Sequence, residues 1–228
     1  MNQVDKKEQI LKLISEKSVI KQQVYDKTYT TFNTVKSALT YISANFNANL
    51  IGLDKRVHLQ YKDNGEFDAQ LKVAGDLLVF SMHSNAFEFD RSHPVRQLSY
   101  IKDNPYSSIC GMISIYNFLF DSFRYNRDED LGYLIARIFV NKDGLYFVEG
   151  KRQMGYWCNN FGSGQIDDEV LRDIIYSAVQ YSLEFDLLVP PYDNVKIVSV
   201  AQINSKIESS RLQTGKRLGF TFNSDDIS

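Results

Sequence analysis

Glu149, Gly150 and Lys151 close an apolar run that reads as a β-strand. Residues two apart on a strand point to the same face, so this carboxylate and this ammonium would stand side by side. A carboxylate so placed can hold Mg²⁺, and a neighbouring ammonium can stabilise an attacked phosphate. Asp130 offers a second acid near the start of the preceding strand. The expected register works against this arrangement. It sets Asp130 opposite Tyr156, far from Glu149, and it sets Arg137 across from Glu149, where a guanidinium neutralises the charge a metal needs. A cross-strand ion pair accounts for Glu149 with fewer assumptions.

The acid and lysine two apart at a strand end resemble the PD-(D/E)xK nucleases. The resemblance covers Glu149, Gly150 and Lys151. It implies a metal-dependent phosphodiesterase or nuclease, with Glu149 holding Mg²⁺, Lys151 on the attacked phosphate and Asp130 as the partner acid.

The other reactive residue types are scattered. His58, His83 and His93 show no H-x-x-x-H or H-E-x-x-H spacing. His58 and His83 share a polar sheet face with Asp68, and the expected register sets His83 beside Asp68. A His/Asp metal site is one reading of that set. The solvated outer face of an antiparallel sheet is the simpler one, and no metal or other cofactor is expected. Gly162-Ser163-Gly164 precedes a helix, as phosphate-cradling loops do, but Asp167, Asp168 and Glu169 would repel an anion there. Cys110 and Cys158 lie outside any C-x-x-C motif and are expected to be reduced and buried.

The elements that carry these residues are set by periodicity. From Arg56 to Asp90 apolar residues alternate with polar ones, which predicts a four-strand meander with one oily face. A three-residue loop at Asp63-Asn64-Gly65 would pair Tyr61 with Phe67 and Leu59 with Ala69. A two-residue loop at Gly75-Asp76 would pair Val73 with Leu78 and Leu71 with Phe80. A turn near Ser84-Asn85 would pair Met82 with Phe87. The same parity then turns Val57, Leu59, Leu71, Phe80 and Phe89 inward. A later hairpin, from Leu131 to Asn141 and from Leu145 to Met154, turns at Lys142-Asp143-Gly144. It is expected to pair Ile138 with Val148 and Arg137 with Glu149. Both of its faces are apolar near the turn, so it should be covered on both sides or lie at an interface.

Helical spacing fills the remainder. Residues 1–50 lack Gly and Pro and carry apolar residues at Ile10, Leu13 and Ile14 and again from Phe32 to Phe46. This predicts one helix, or two joined near Ser18 or Thr28, with the second stripe packed on the protein's own sheet. A loop with an isolated surface His93 follows the meander. Asn104-Pro105 opens a helix over 104–124, judged by the spacing of Ile109, Met112, Ile113, Tyr116 and Phe120. A third helix follows Asp167, with Val170, Leu171, Ile174, Ile175, Ala178 and Val179 on one face. A short strand over Val195 to Val200, a last helix over 202–213 and a frayed tail from 223 to 228 complete the chain.

The fold class is therefore α+β: an antiparallel meander and a long hairpin in one sheet, with helices mainly on one face, in the order α-ββββ-α-ββ-α-β-α. The 228 residues are read as one domain. The order resembles secretion-chaperone-like folds in topology alone. A net charge of −2 argues against nucleic-acid binding by bulk electrostatics. No membrane-spanning run or secretory signal is evident, so a cytoplasmic location is expected. The 14 Tyr and 15 Phe, with no catalytic constellation beside them, suit a non-catalytic protein-interaction or chaperone-like module that self-associates, as a homodimer, or binds a protein partner. The alternatives are the phosphodiesterase and a small-ligand pocket between the sheet and the 104–124 helix.

Overall fold

The computed structural model describes residues 3–128, 130–150, 161, 164–187, 189 and 191–201. Helix α1 (Gln3–Leu13), a π turn (Ile14–Ser18) and helix α2 (Val19–Asn49) form one continuous rod, because Leu13 and Val19 both keep right-handed helical backbone. The winding changes close to Ser18 and does not change at Thr28. The polar, β-branched middle stays helical, and Thr28, Thr30, Thr31 and Thr34 each satisfy their hydroxyl by donating a hydrogen bond to the carbonyl four residues back.

The strands are β1 (Gln60–Asp63), β2 (Asp68–Val73), β3 (Asp76–Met82), β4 (Phe87–Glu88), β5 (Ile109–Leu119), β6 (Tyr133–Asn141) and β7 (Tyr146–Gly150). They form one antiparallel sheet in the order β1-β2-β3-β5-β6-β7, with β4 also paired to β5. Short helices α3 (Ser99–Asp103) and α4 (Phe120–Arg124) flank β5, and α5 (Asp168–Glu184) and α6 (Tyr192–Val195) follow the sheet. The fold is α+β, as expected.

The helix expected over 104–124 is corrected. Pro105–Ser108 is a single 3₁₀ turn, Ile109–Leu119 is β5, and helix returns only at α4. Strand β5 lies between β3 and β6 and is mostly buried along both faces, so apolar residues occupy both parities. A strand covered on both sides loses its alternation and can match helical spacing by accident. Its Ile, Tyr and Phe content is the truer signal. A pocket between the sheet and that helix has no place in this structure.

The meander keeps its inward face but not its turns. Tyr61 pairs with Leu71, not Phe67, and Leu71 pairs with Leu78, not Phe80. Each displacement is an even number of residues, and an even slip returns every side chain to the same face. Leu59, Ala69, Leu71, Val73, Leu78, Phe80 and Met82 are accordingly all in the core. Val57 instead sits in a 3₁₀ turn (Lys55–Val57) and is exposed. The second turn uses Ala74-Gly75, with Ala74 at φ 50, and closes at Val73 and Asp76. The hairpin at Ser84-Asn85 does not form. Phe87 and Glu88 pair with Cys110 and Ile109, so β4 prolongs the edge of β5 that β3 has already taken. Phe89 then lies on the outer face against Phe139 and Phe147. The strand expected over Val195 to Val200 is absent: α6 ends at Val195, and 196–199 has no regular structure.

The long hairpin holds its expected register, with Arg137 opposite Glu149, Ile138 opposite Val148 and Phe139 opposite Phe147. Gly144 takes φ +77 in its turn. On the inner face, Phe32, Val35, Leu39 and Ile42 of α2 and Leu171, Ile174, Ile175 and Ala178 of α5 cover the sheet. The outer face is closed near the hairpin turn by Val95, Ile101 and Phe161, packed with Cys110 and Phe139. Near its turn the hairpin is therefore covered on both sides.

Candidate functional site

The register places five outward residues in one row across five strands. Asp68 of β2 pairs with Ser81 of β3, Ser81 with Ser114 of β5, Ser114 with Arg137 of β6, and Arg137 with Glu149 of β7. Two residues proposed for different chemistries, Asp68 and Glu149, thus lie at opposite ends of one line. At ~4.8 Å per strand step they are ~19 Å apart, too far to share an ion.

Glu149 is held by Arg137, whose Nε donates to Glu149 Oε2 at 2.7 Å and whose second guanidinium nitrogen also contacts it. Asp130 lies before β6 begins, in a turn after α4. There its carboxylate accepts from Ser122 Oγ at 2.6 Å and pairs with Arg127 at 2.9 Å, with almost no exposure. Both acids thus neutralise an arginine, in separate places. Lys151, Cys158 and the Gly162-Ser163 part of the small-residue loop lie outside the described residues.

The set His58, His83 and Asp68 is likewise dispersed. His58 precedes β1, with its Nε2 3.3 Å from the Leu50 carbonyl. His83 donates its backbone N–H to Met112, accepts the Asn85 N–H on Nδ1 at 3.0 Å, and sets its ring 4.7 Å from that of Phe87. Asp68 stands opposite Ser81, not beside His83. His93 is not an isolated surface residue: its ring stacks 4.7 Å from Phe89, and its Nδ1 accepts from Val95 N–H. Among the described residues, no group of three or more His, Cys, Asp or Glu is arranged to hold a metal ion.

Cys110 is fully buried, and burial pushes its thiol above the ordinary range, which makes it a poor nucleophile. Asp167 caps α5 as expected, accepting the Val170 N–H at 2.9 Å. Lys72 was not singled out by the sequence, because alternation assigns it to a solvated face. Instead Phe120 of α4 folds back beneath its amine at 5.1 Å, while Nζ donates to the Arg56 carbonyl at 2.7 Å. Burial lowers its pKa. Its contacts join the 3₁₀ turn at Lys55–Val57 to the sheet, and no base or acid stands beside it among them.

An open apolar stripe runs along the arm formed by α1 and the π turn. Ile10, Leu11, Leu13 and Ile14 are each more than half exposed. The rod first touches the body where Tyr106 donates to Glu16 at 3.4 Å and Lys17 meets Glu88 at 3.5 Å. A π turn accommodates one residue more than an α turn, so the stripe ahead of it is turned by about 100° from the sheet-facing line of Val24, Phe32 and Val35. An open groove of ≈ 280 Å³ lies at this junction beside Lys21, Tyr25, Ser84 and Asn85. The spacing of Ile10, Leu13 and Ile14 is visible in the sequence. That no described part of the body covers it is visible only in the fold.

Among the described residues no helix is long and apolar enough to cross a membrane. No family model, curated protein or solved structure matches this chain.

Proposed function

We propose that this protein is a non-catalytic protein-interaction module and that the N-terminal arm is its binding element. The observation that carries this reading is the stripe Ile10, Leu13 and Ile14, with Leu11 at its edge, exposed on a helix that the described body does not cover. Fully burying one Leu or Ile is worth on the order of 1.5–3 kcal/mol, so a partner helix or groove that covers the stripe gains that term several times over. The polar row on the outer face supports catalysis less well, because both acids considered for it are tied to arginines.

Photo-crosslinking in the expressing cell tests the proposal. A photoreactive side chain at position 13 should yield discrete protein adducts. The same group at position 12, on the opposite side of the arm, should not, and Ile10→Asp should abolish the adducts. Equal yields from both positions, or none from either, would overturn the reading.

A further inference from the structure

We infer that the arm's partner is a second copy of this chain, docked head-to-tail on the C-terminal end of α5; this rests on the arm being the binding element.

Charge selects the acceptor. Residues 1–21 carry Lys6, Lys7, Lys12, Lys17 and Lys21 against Asp5, Glu8 and Glu16. Residues 167–186 carry Asp167, Asp168, Glu169, Asp173, Glu184 and Asp186 against Arg172, and all six acids are exposed. Two arms laid together would juxtapose like charge, whereas an arm laid on the C-terminal end of α5 meets Glu184 and Asp186; Asp167, Asp168, Glu169 and Asp173 lie at the other end of that helix, by the hairpin turn. The apolar match stands beside Glu184 and Asp186. Leu183, Leu187 and Val189 are 55%, 48% and 88% exposed at the end of α5 and just beyond it.

Position rules out the chain's own arm as the occupant. The arm leaves the body beside Glu88, which pairs with Ile109 at the start of β5. The far end of α5 lies against Tyr133, through Phe185 at 5.5 Å, and Tyr133 pairs with Asn117 near the finish of β5. Helix α2 runs from Gly111, under Thr28, toward Leu59, held by Asn47, so α1 at its head points away from the end of α5. Donor and acceptor therefore sit at opposite ends of one molecule. A contact between different patches is heterologous, and it gives a chain of copies unless the rotation happens to close a ring.

Light scattering on the full-length protein and two variants decides this. The parent should grow in mass with concentration across the micromolar range. The arm variant Ile10→Asp/Leu13→Asp and the acceptor variant Leu183→Lys/Leu187→Lys should each be monomeric. Their equimolar mixture should form a pair, at least tenfold tighter than either alone, because one intact arm meets one intact acceptor. All four positions are exposed, and circular dichroism verifies that each variant is folded. Glu184→Lys/Asp186→Lys, which removes no apolar contact, should weaken the parent assembly at low salt. A parent that stays monomeric, an acceptor variant that still self-associates, or a mixture that forms no pair would each overturn the inference. A monomeric parent whose position-13 probe still captures other proteins would overturn this inference and leave the interaction module standing.

Discussion

Thr28 of α2 stands directly over Gly111 of β5: a β-carbon at position 111 would lie 1.9 Å from the Thr28 hydroxyl oxygen and 2.7 Å from its Cβ. Only a residue without a side chain lets the helix approach the central strand this closely. Gly111→Ala should force the helix outward and cost about 1–3 kcal/mol, read as a lower urea midpoint. Thr28→Ala in the same chain should restore only part of the loss, because its own Cβ still intrudes. An unchanged midpoint for Gly111→Ala would mean that α2 is seated elsewhere.

Asn47 closes the other end of α2. Its amide nitrogen donates to the Leu59 carbonyl at 2.8 Å, and its amide oxygen accepts the Leu59 N–H at 2.9 Å, so the side chain serves Leu59 as a strand neighbour would. Asn47→Ala should leave both groups without that partner and cost about 1–3 kcal/mol. Asn47→Asp loses the donor alone and should fall between. Amide hydrogen exchange at Leu59 should accelerate in both variants.

Glu88 fastens the arm's base to the body. The hydrogen bond from Arg96, aided by Lys17, holds its carboxyl below the ordinary glutamate value of 4.5, against the opposing effect of partial burial. A carboxylate depressed in the folded state contributes stability that is complete above the unfolded value and is lost as pH falls through the folded one. The stability gap between the parent and Glu88→Gln should therefore be full above pH 4.5 and fade as pH falls from there through the lower folded-state value. Because the side chain is 44% exposed, the gap should be small and should shrink with added salt. A gap that widens on acidification would contradict this pairing.

The Arg137–Glu149 pair is partly exposed at both ends. Glu149→Ala should thus cost no more than about 1 kcal/mol. It should also leave the parent's behaviour toward Mg²⁺ and nucleic acid unchanged. Metal-dependent phosphodiester cleavage by the parent that disappears in Glu149→Ala would restore the nuclease reading.

How much of this was legible beforehand differs between elements. The register of the hairpin is legible over its described strands, because Lys142-Asp143-Gly144 specifies its turn and both strands leave it directly. The meander is legible by face but not by partner, since an even slip leaves parity untouched and only turn geometry separates the alternatives. Strand β5 carries the spacing of a helix in the sequence, because a strand enclosed by β3 and β6 and covered on both faces shows no alternation.

The candidate site divides in the same way. Ile10, Leu13 and Ile14 mark an apolar stripe in the sequence alone, and Val170, Leu171, Ile174 and Ile175 mark another on α5. Neither pattern says whether a stripe is buried.

Periodicity thus determined by itself the α+β class, the inward face of the sheet and the amphipathic helices, because each depends only on which neighbouring side chains point the same way. The tertiary structure decided which apolar faces meet one another and which are left in water, because burial depends on where distant segments arrive: Phe120 beneath Lys72, Phe89 on the hairpin, and nothing in the described body over Ile10, Leu13 and Ile14.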